Sequence, residues 1–482
     1  MTYEPVIGIE THVELTTASK MFCGCPVDFG APPNTNVCPV CLGLPGALPV
    51  VNGRAVEYAM TIGLALNCTI AGRSVFSRKN YFYPDMPKNY QISQYEEPLC
   101  VDGYLDVETD GTASRVGITR VHMEEDTGKS THVGVGGRIA DASHSLIDFN
   151  RAGVPLMEVV SEPDIRSAEE ARAFVAELRG AVLRLGVSDA KLEEGSMRFD
   201  ANVSLRAVGA EPFGTKVEVK NMNSLRSLQR ALEHEIERQA AILESGGEVL
   251  QETRHWDEEA GTTTGMRSKE EAFDYRYFDE PDLVPVEVDD EWRTRVAGAL
   301  PELPAQARGR YLEMGLDATT AGLLSNDVEV GLVFEAAVAT GADAQMVANW
   351  LTGEVTALLR REDTTLGATP IDGSVLAELS AMVTDGQLSA SAAKDVLAGV
   401  LAGEGRPAEV AASRDLIQVS DAGELEPVID GVLAENDEAV AKLKEGDEKV
   451  IGFLVGQVMR ATGGKADPGL VNQIIKARVG GG

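Results

Sequence analysis

The chain contains no run of about 18 apolar residues, so no stretch is long enough to cross a bilayer as a helix. Its opening residues, M-T-Y-E-P-V-I-G-I-E, lack a basic region and a long apolar core. That argues against a secretion signal and makes the cytoplasm the expected compartment. Histidine is scarce, 6 in 482 residues, too few for the ligand set of a His-rich metal-dependent hydrolase. Cations are outnumbered, with 43 Lys and Arg against 76 Asp and Glu and a net charge of −33. Taken alone, that balance speaks against a nucleic-acid partner, because phosphate binding needs Lys and Arg. Repeats and low-complexity runs are absent. Apolar content is ordinary, so the chain is globular and long enough for roughly two to four domains.

What is present begins with Val6–Leu15, V-I-G-I-E-T-H-V-E-L. Apolar and polar residues alternate at period 2, the pattern of a strand with one buried face. Ile7, Ile9, Val13 and Leu15 face one way, and Glu10, His12 and Glu14 face the other. Two carboxylates and an imidazole close together are costly unless a cation neutralises them. Oxygen-rich clusters with one nitrogen suit magnesium or another hard cation. A solvated strand face is the alternative for this stretch alone, but later stretches repeat the construction. Val116–Glu124 sets Ile118, Arg120, His122 and Glu124 on one side, with Val121, Met123 and Glu125 on the other. Glu124, Glu125 and Asp126 are consecutive carboxylates. Met197–Arg206 turns Arg198, Asp200, Asn202, Ser204 and Arg206 outward over Phe199, Ala201, Val203 and Leu205. Lys216, Glu218 and Lys220 alternate with Val217 and Val219. Matched opposite charges at this density indicate a catalytic floor rather than a solvated face. The nearby Gly128-Lys129-Ser130 is no phosphate-binding P-loop, because Met123 stands where that motif needs glycine.

Four of the 6 cysteines crowd together: Cys23-Gly-Cys25 and, beyond a gap of 12 residues, Cys38-Pro-Val-Cys41. Clustering in a large chain favours metal over disulfides, and a four-thiolate site holds zinc with no open position, hence structurally. The one-residue gap between Cys23 and Cys25 is tighter than usual, and four reduced thiols in a loop are the alternative. Arg54–Leu66 reads as a helix with Val56, Ala59, Met60, Gly63 and Leu64 inward. In Arg78–Ser93, Tyr81, Phe82, Tyr83 and Tyr90 interleave with Arg78, Lys79 and Lys88. Such a loop either grips phosphates and stacks on bases or packs as an aromatic core. Asp102-Gly103 and Asp110-Gly111 are hairpin signals in a meander over Glu97–Glu125. Ser167-Ala-Glu-Glu170 opens a helix as a capping box, and Ser224–Glu244 is an amphipathic helix. Strand-like alternation stops near Val288; from Trp292 on, the chain reads as all-helical, with Arg406-Pro407 an internal boundary. Lys449–Gly482 carries five cations (Lys449, Arg460, Lys465, Lys476, Arg478) against Asp467, so this segment is net +4 on an acidic chain.

Taken together, the motifs resemble the GatB family, the B subunits of aspartyl/glutamyl-tRNA amidotransferases, over essentially the whole chain. The stretches that carry the resemblance are V-I-G-I-E-T-H-V-E-L, R-K-N-Y-F-Y-P-D, R-V-H-M-E-E-D-T-G-K-S, F-N-R-A-G-V-P-L-M-E-V-V-S-E-P-D, E-G-S-M-R-F-D-A-N-V-S-L-R, K-V-E-V-K-N-M-N-S and G-F-L-V-G-Q-V-M-R-A-T-G-G-K-A. Phe199 stands where many relatives carry Cys, Asp279 interrupts an otherwise matching Y-R-Y-F-P-E-P-D run, and Asp467 replaces an Asn. The cysteines place the chain with the zinc-bearing part of the family.

The resemblance implies an α+β fold: a largely antiparallel cradle domain flanked by helices over residues 1–293, a helical domain over 294–406, and a small helical tail domain, YqeY-like, over 407–482. It implies ATP-dependent phosphorylation of the side-chain carboxylate of misacylated Glu-tRNA(Gln) or Asp-tRNA(Asn), followed by displacement of phosphate by ammonia. Glu10, His12, Glu124 and Glu125 would hold magnesium, with Arg198, Asp200 and Lys220 on the same floor. Lys79, Tyr81 and Lys88 would contact substrate or ATP, and Cys23, Cys25, Cys38 and Cys41 would hold zinc. Lys465, Lys476 and Arg478 would grip the tRNA. The chain has no Gly-Gly-Ser-Ser-Gly-Gly run and no Cys–His pair of nucleophile spacing, so ammonia would come from a partner amidase, the A member of a heterotrimer whose small C member braces the pair. A non-catalytic tRNA-binding scaffold is the competing class. It has no use for a gathered set of carboxylates, and that set separates the two readings.

Overall fold

The structure is a computed structural model and describes residues 2–109, 111–134, 142–266, 275–418, 422–445, 447–463 and 465–480. It divides into two compact units, Met1–Ala307 and Arg308–Gly482. In the first unit, the alternating N-terminal segment forms the strand Tyr3–Glu14 in the middle of a nine-stranded sheet. On one side it pairs antiparallel with Met197–Ala207, and on the other with Pro155–Ser161, which pairs with Thr112–Glu125. Among the described residues, the only parallel neighbours in this sheet are Val217–Lys220 and Thr253–Asp257, joined through the helix Leu225–Glu244.

Register decides what meets on the sheet's faces. His12 lies opposite Arg198 on one side and Glu158 on the other, and Glu158 lies opposite His122. Glu10 lies opposite Asp200. The odd-numbered partners, Ile7, Ile9 and Val13, turn to the other face and are buried with Val121, Met123, Met157, Val159 and Val203. Each such side chain contributes roughly 1.5–3 kcal/mol by leaving water. Helices Gly53–Ala65, Ala168–Arg184 and Leu225–Glu244 cover this core face. Phe174, Val175, Leu178 and Val182 form the buried stripe of the second of these. Its cap is Ser167, whose Oγ accepts from Glu170 N, while Glu170 Oε2 accepts from Arg166 N rather than from Ser167.

Asp102-Gly103 is not a hairpin turn. Cys100–Thr109 runs through it as one strand, with Asp102 at φ 54°. Gly103 is required there for a different reason: a Cβ would lie 2.3 Å from Cys68 Sγ and 2.6 Å from Leu66 O. The hairpin comes at the second signal, between Thr109 and Thr112, and Asp110 of that signal lies outside the described residues.

Among the described residues, the named elements of the second unit are all helices. Helix Pro407–Ser413 begins at the Arg406-Pro407 signal and packs on Ala390–Leu401, where a Cβ on Gly399 would meet Val410 Cγ1 at 2.5 Å. A separate apolar core joins Leu425, Ile429, Leu454, Val458, Val471 and Ile475. The cation-rich end of the chain is entered through a 3-10 turn, Glu448–Val450, followed by an α-helix, Ile451–Ala461. Leu454 and Val458 are buried, whereas Phe453 is half exposed, because it falls on the outer side of that helix. No helix among the described residues is long and apolar enough to cross a membrane.

Candidate functional site

The face of the sheet opposite the core forms the floor of a chamber of about 620 Å³, lined by Glu10, His12, Lys79, His122, Glu124, Glu158, Asp200 and Lys220 among others. Its centre is a three-residue group. His12 Nε2 lies 3.6 Å from Glu124 Oε1 and 3.4 Å from Glu158 Oε2. One ligand atom from each of the three falls within 4.8 Å of the others, a spacing that one cation can bridge. His122 Nε2 is 3.5 Å from the same Glu158 oxygen.

Burial and charge pull these groups apart in acidity. Burial alone would lower the His12 pKa, but Glu158, Glu124 and Asp200 around it outweigh that and raise it to about 9. Burial drives His122 down to about 4, against the pull of Glu158. Burial and the neighbouring Glu158 raise Glu124 above the usual carboxylate range. Glu158 itself is held below that range, because His122 and His12 outweigh its burial. Lys79 faces Glu124 and Glu158, which hold it charged despite its burial. Its Nζ sits 4.9 Å over the Tyr275 ring.

Glu10 is anchored beside this group by Asn202 Nδ2 at 2.9 Å. Lys220 pairs with Asp200 and stands 3.3 Å from Glu218. Arg198 donates to Asp126 Oδ2 at 2.9 Å, and Arg151 Nε lies 3.4 Å from the same oxygen. Next to Asp126, Glu14 is pushed up to about 8 by burial, by the Asp126 charge and by its hydrogen bond to Asp126. Tyr81 stacks on Tyr83 with centroids 5.2 Å apart, and with Lys79, Arg198 and Asp126 it lines the chamber's lateral extension.

Glu125 does not join His12 and Glu124. Alternation turns it to the other side of its strand, where it pairs with Lys88 and accepts from Ile92 N at 2.9 Å. Lys88 is therefore committed to an ion pair and sits 5.3 Å over the Tyr90 ring, instead of lining the chamber. The carboxylate that takes the place assigned to Glu125 is Glu158. Sequence reasoning missed it, although a single charge inside the apolar run Val154–Val160 was a usable signal.

Cys23, Cys25, Cys38 and Cys41 form one cluster, with sulfurs within 4.8 Å of one another. Cys38 and Cys41 sulfurs are 3.9 Å apart, and Cys38 N donates to Cys41 Sγ at 3.1 Å. Four Zn–S bonds of about 2.3 Å in a tetrahedron place sulfurs about 3.8 Å apart, so the cluster is compatible with zinc. A hydrogen bond from Cys23 holds Cys41 down to about 5 against burial, whereas burial pushes Cys25 up to about 11. Behind Cys41 lies a residue the sequence did not single out. Lys20 is fully buried, with Nζ 3.8 Å from Cys41 Sγ and donating to Phe149 O at 3.2 Å. It offsets part of the thiolate charge.

In the tail, Lys465 pairs with Asp415, and Arg478 pairs with Glu426 at 2.9 Å and with Asp430 at 3.5 Å. Lys476 is exposed on the last helix. Gly464, between Gly463 and Lys465, lies outside the described residues.

A strand floor that gathers histidine, carboxylates and lysines in one chamber, followed by helices, defines a class: residues 5–294 match the GatB/GatE catalytic domain, and residues 332–479 match the GatB domain. The chain is 53% identical to the B subunit of the aspartyl/glutamyl-tRNA(Asn/Gln) amidotransferase of Moorella thermoacetica, over 99% of this chain and 100% of the relative. It is 50% identical to that of Geotalea daltonii over 100% of both chains. Against that of Frankia casuarinae it is 53% identical over 99% of this chain and 96% of the relative. This chain belongs to the GatB family, the B subunits of aspartyl/glutamyl-tRNA(Asn/Gln) amidotransferases.

Proposed function

We propose that this chain carries the carboxylate-activating site of a tRNA-dependent amidotransferase, a ligase that forms a carbon–nitrogen bond. It transfers a phosphoryl group from ATP to the side-chain carboxylate of Glu-tRNA(Gln) or Asp-tRNA(Asn), and ammonia then displaces phosphate to leave Gln-tRNA(Gln) or Asn-tRNA(Asn). The observation that carries this reading is the chamber that unites His12, Glu124 and Glu158 with Lys79 and Lys220. A carboxylate is a poor acceptor for ammonia because its leaving group would be oxide; phosphorylation supplies a leaving group. A scaffold that only bound tRNA would gain nothing from this gathering of buried charge.

The donor set fits magnesium: two carboxylates and one imidazole within bridging distance, one of the carboxylates raised above its usual range by burial and by the other's charge. His12, Glu124 and Glu158 would hold the ion, with Glu10 beside them; when bound it neutralises phosphate oxygens of ATP. Lys79 and Lys220, both held charged, present cations to the phosphates and to the substrate carboxylate. Arg198, fixed by Asp126, offers a third cation at the chamber's side. Lys88 and Glu125 form a buried pair beneath Tyr90 and act by holding the 77–93 loop against the sheet. The four-cysteine cluster would take one zinc in a structural role.

The relatives' shared name, the B subunit of a tRNA amidotransferase, implies a multi-subunit enzyme that works on tRNA. The partners we assign are the amidase (A) subunit, which releases ammonia from glutamine, and the small (C) subunit of the heterotrimer, with translation in the cytoplasm as the setting. We retain the division into a cradle over 1–293, a helical domain over 294–406 and a tRNA-gripping tail over 407–482. The decisive experiment mixes the purified chain and its amidase partner with ATP, glutamine and misacylated tRNA, and follows amide formation. Amidation that proceeds without ATP, or that this chain does not promote, would overturn the reading.

A further inference from the structure

One buried charge has no part in the chamber. Lys20 is fully enclosed, and an ammonium taken out of water needs a counter-charge. Among the described residues it pairs with no carboxylate; its Nζ meets Cys41 Sγ at 3.8 Å and Phe149 O at 3.2 Å. A carbonyl supplies a dipole and not a charge. A divalent metal cancels half the charge of four thiolates, and the ammonium faces the half that is left. The lysine thus completes the charge balance of the cysteine cluster. Through its second contact it also reaches the chain at residue 149.

The main chain repeats that connection. Lys20 N donates to Cys25 O at 3.0 Å, and Met21 N donates to Gly153 O at 2.8 Å. A Cβ on Gly153 would lie 3.4 Å from Lys20 Cδ and 3.5 Å from Cys41 Cβ, so the cluster packs directly on the turn 149–153. Between the two cysteine pairs, Asn36 N donates to Asn150 Oδ1 at 2.8 Å. The turn belongs to no helix or strand, and its placement falls to these contacts. It carries Arg151. The Nε and Nη2 of Arg151 donate to Thr127 O and Gly128 O, each at 3.0 Å, and Nε lies 3.4 Å from Asp126 Oδ2. The turn and Asp126 also exchange backbone bonds, Gly153 N to Asp126 O and Asp126 N to Val154 O, both at 2.9 Å. Asp126 Oδ2 is the oxygen that holds Arg198 at the chamber's side.

We propose that Lys20 is a positioning residue that ties metal occupancy of the four-cysteine cluster to the placement of the turn 149–153, and so to the seat of Arg151 on Asp126. This rests on the structural zinc proposed above and gives that metal a task beyond closing its own loop. With the metal bound, the sulfurs keep one arrangement and one residual charge, and the ammonium is held between them and Phe149 O. Without it, the counter-charge disperses, the ammonium leaves its place, and the turn loses the contact that fixes its start. Arg151 then shares Asp126 with Arg198 less firmly, at the edge of the chamber.

Hydrogen exchange of the full chain, read by mass spectrometry, tests this with zinc bound and after its removal by a chelator. In the parent, removal speeds exchange about tenfold in the peptides covering 147–155 and 126–128. Lys20→Met with zinc bound shows the same rise, and stripping that variant adds less than about twofold, because the two changes break one connection. The variant also yields its zinc to the chelator about tenfold more readily. Cobalt in place of zinc gives a readout that packing alone would not move: the sulfur-to-cobalt charge-transfer band shifts to lower energy in Lys20→Met, since no neighbouring cation steadies the sulfur electrons. Additive effects of the variant and of stripping, or an unshifted band, overturn the proposal. So does unchanged exchange at 147–155 when a zinc-loaded parent is stripped, a comparison that needs no variant to fold. A parent that holds no zinc by elemental analysis refutes the zinc assignment itself and the proposal with it, which separates the two failures.

Discussion

Replacing Glu158 with glutamine removes one charge from the centre of the chamber while keeping its shape. Glu158 faces His12 at 3.4 Å and His122 at 3.5 Å. At an effective dielectric of about 20, a full charge pair at that distance is worth about 5 kcal/mol, and the buried carboxylate's own desolvation costs several kcal/mol in the opposite sense. The two nearly cancel, so folding stability should move by only about 1–2 kcal/mol. Function should not cancel in this way. Losing one carboxylate that would hold the cation should cut ATP-dependent amidation by roughly a hundredfold or more, about 2.7 kcal/mol of barrier. The His12 pKa, held at about 9 chiefly by Glu158 against burial, should fall, because only Glu124 and Asp200 remain to raise it. Amidation rates of the assembled enzyme across a magnesium titration, melting of the variant and an NMR titration of His12 measure the three effects. Parental amidation at ordinary magnesium, with His12 still titrating near its original value, would refute the reasoning.

Elemental analysis of the purified chain should find about one zinc, and Cys38→Ser should lower the melting temperature more than the rate per folded molecule; a metal-free preparation with unchanged melting would make the cysteines bystanders. Neutralising Lys465, Lys476 and Arg478 together should weaken tRNA binding, but the salt slope should fall by close to one unit rather than three, because Lys465 and Arg478 already have acidic partners. An unchanged slope would remove the tail from the interface. Asp372→Ala should cost about 1 kcal/mol at neutral pH, since Asp372 caps helix Gly373–Thr384 by accepting from Val375 N at 2.8 Å. Hydrogen bonding from Ser374, opposed by partial burial, lowers the Asp372 pKa. Its contribution is therefore complete above the ordinary aspartate range and is lost as the pH falls through the lowered folded value, so melts of parent and variant should converge in acid.

Period-2 alternation made the sheet's inner and outer faces legible, because one buried face leaves a strand no choice of which residues turn inward. The helices behind it were equally legible from their stripes and caps. Pairing was not. Nothing local states that Tyr3–Glu14 lies between residues 155–161 and 197–207, and so Glu158 went unnoticed while Glu125, adjacent to Glu124 in sequence, was grouped with it. Adjacency in a strand means opposite faces, and the proper companion of Glu124 came from a neighbouring strand. Asp102-Gly103 misled in the same way. It has the composition of a turn, but the glycine answers to the close approach of Cys68 and Leu66 from elsewhere in the fold. Lys20 was invisible because a lysine buried against a thiolate has no sequence pattern of its own.

The position of the first strand also imposes a timetable on synthesis. Tyr3–Glu14 is synthesised long before the partner on its far side, which ends at Ala207. At about 5–20 residues per second, the intervening chain takes roughly 10–40 s to appear. Throughout that interval Ile7, Ile9 and Val13 belong to an unfinished sheet with an open edge, a natural handhold for chaperones and a hazard when they are scarce. A translational pause before residues 197–207 have been made and released lengthens the exposure. Ribosome speed between the codons for Tyr3 and Ala207 therefore sets how long this strand waits for its partner.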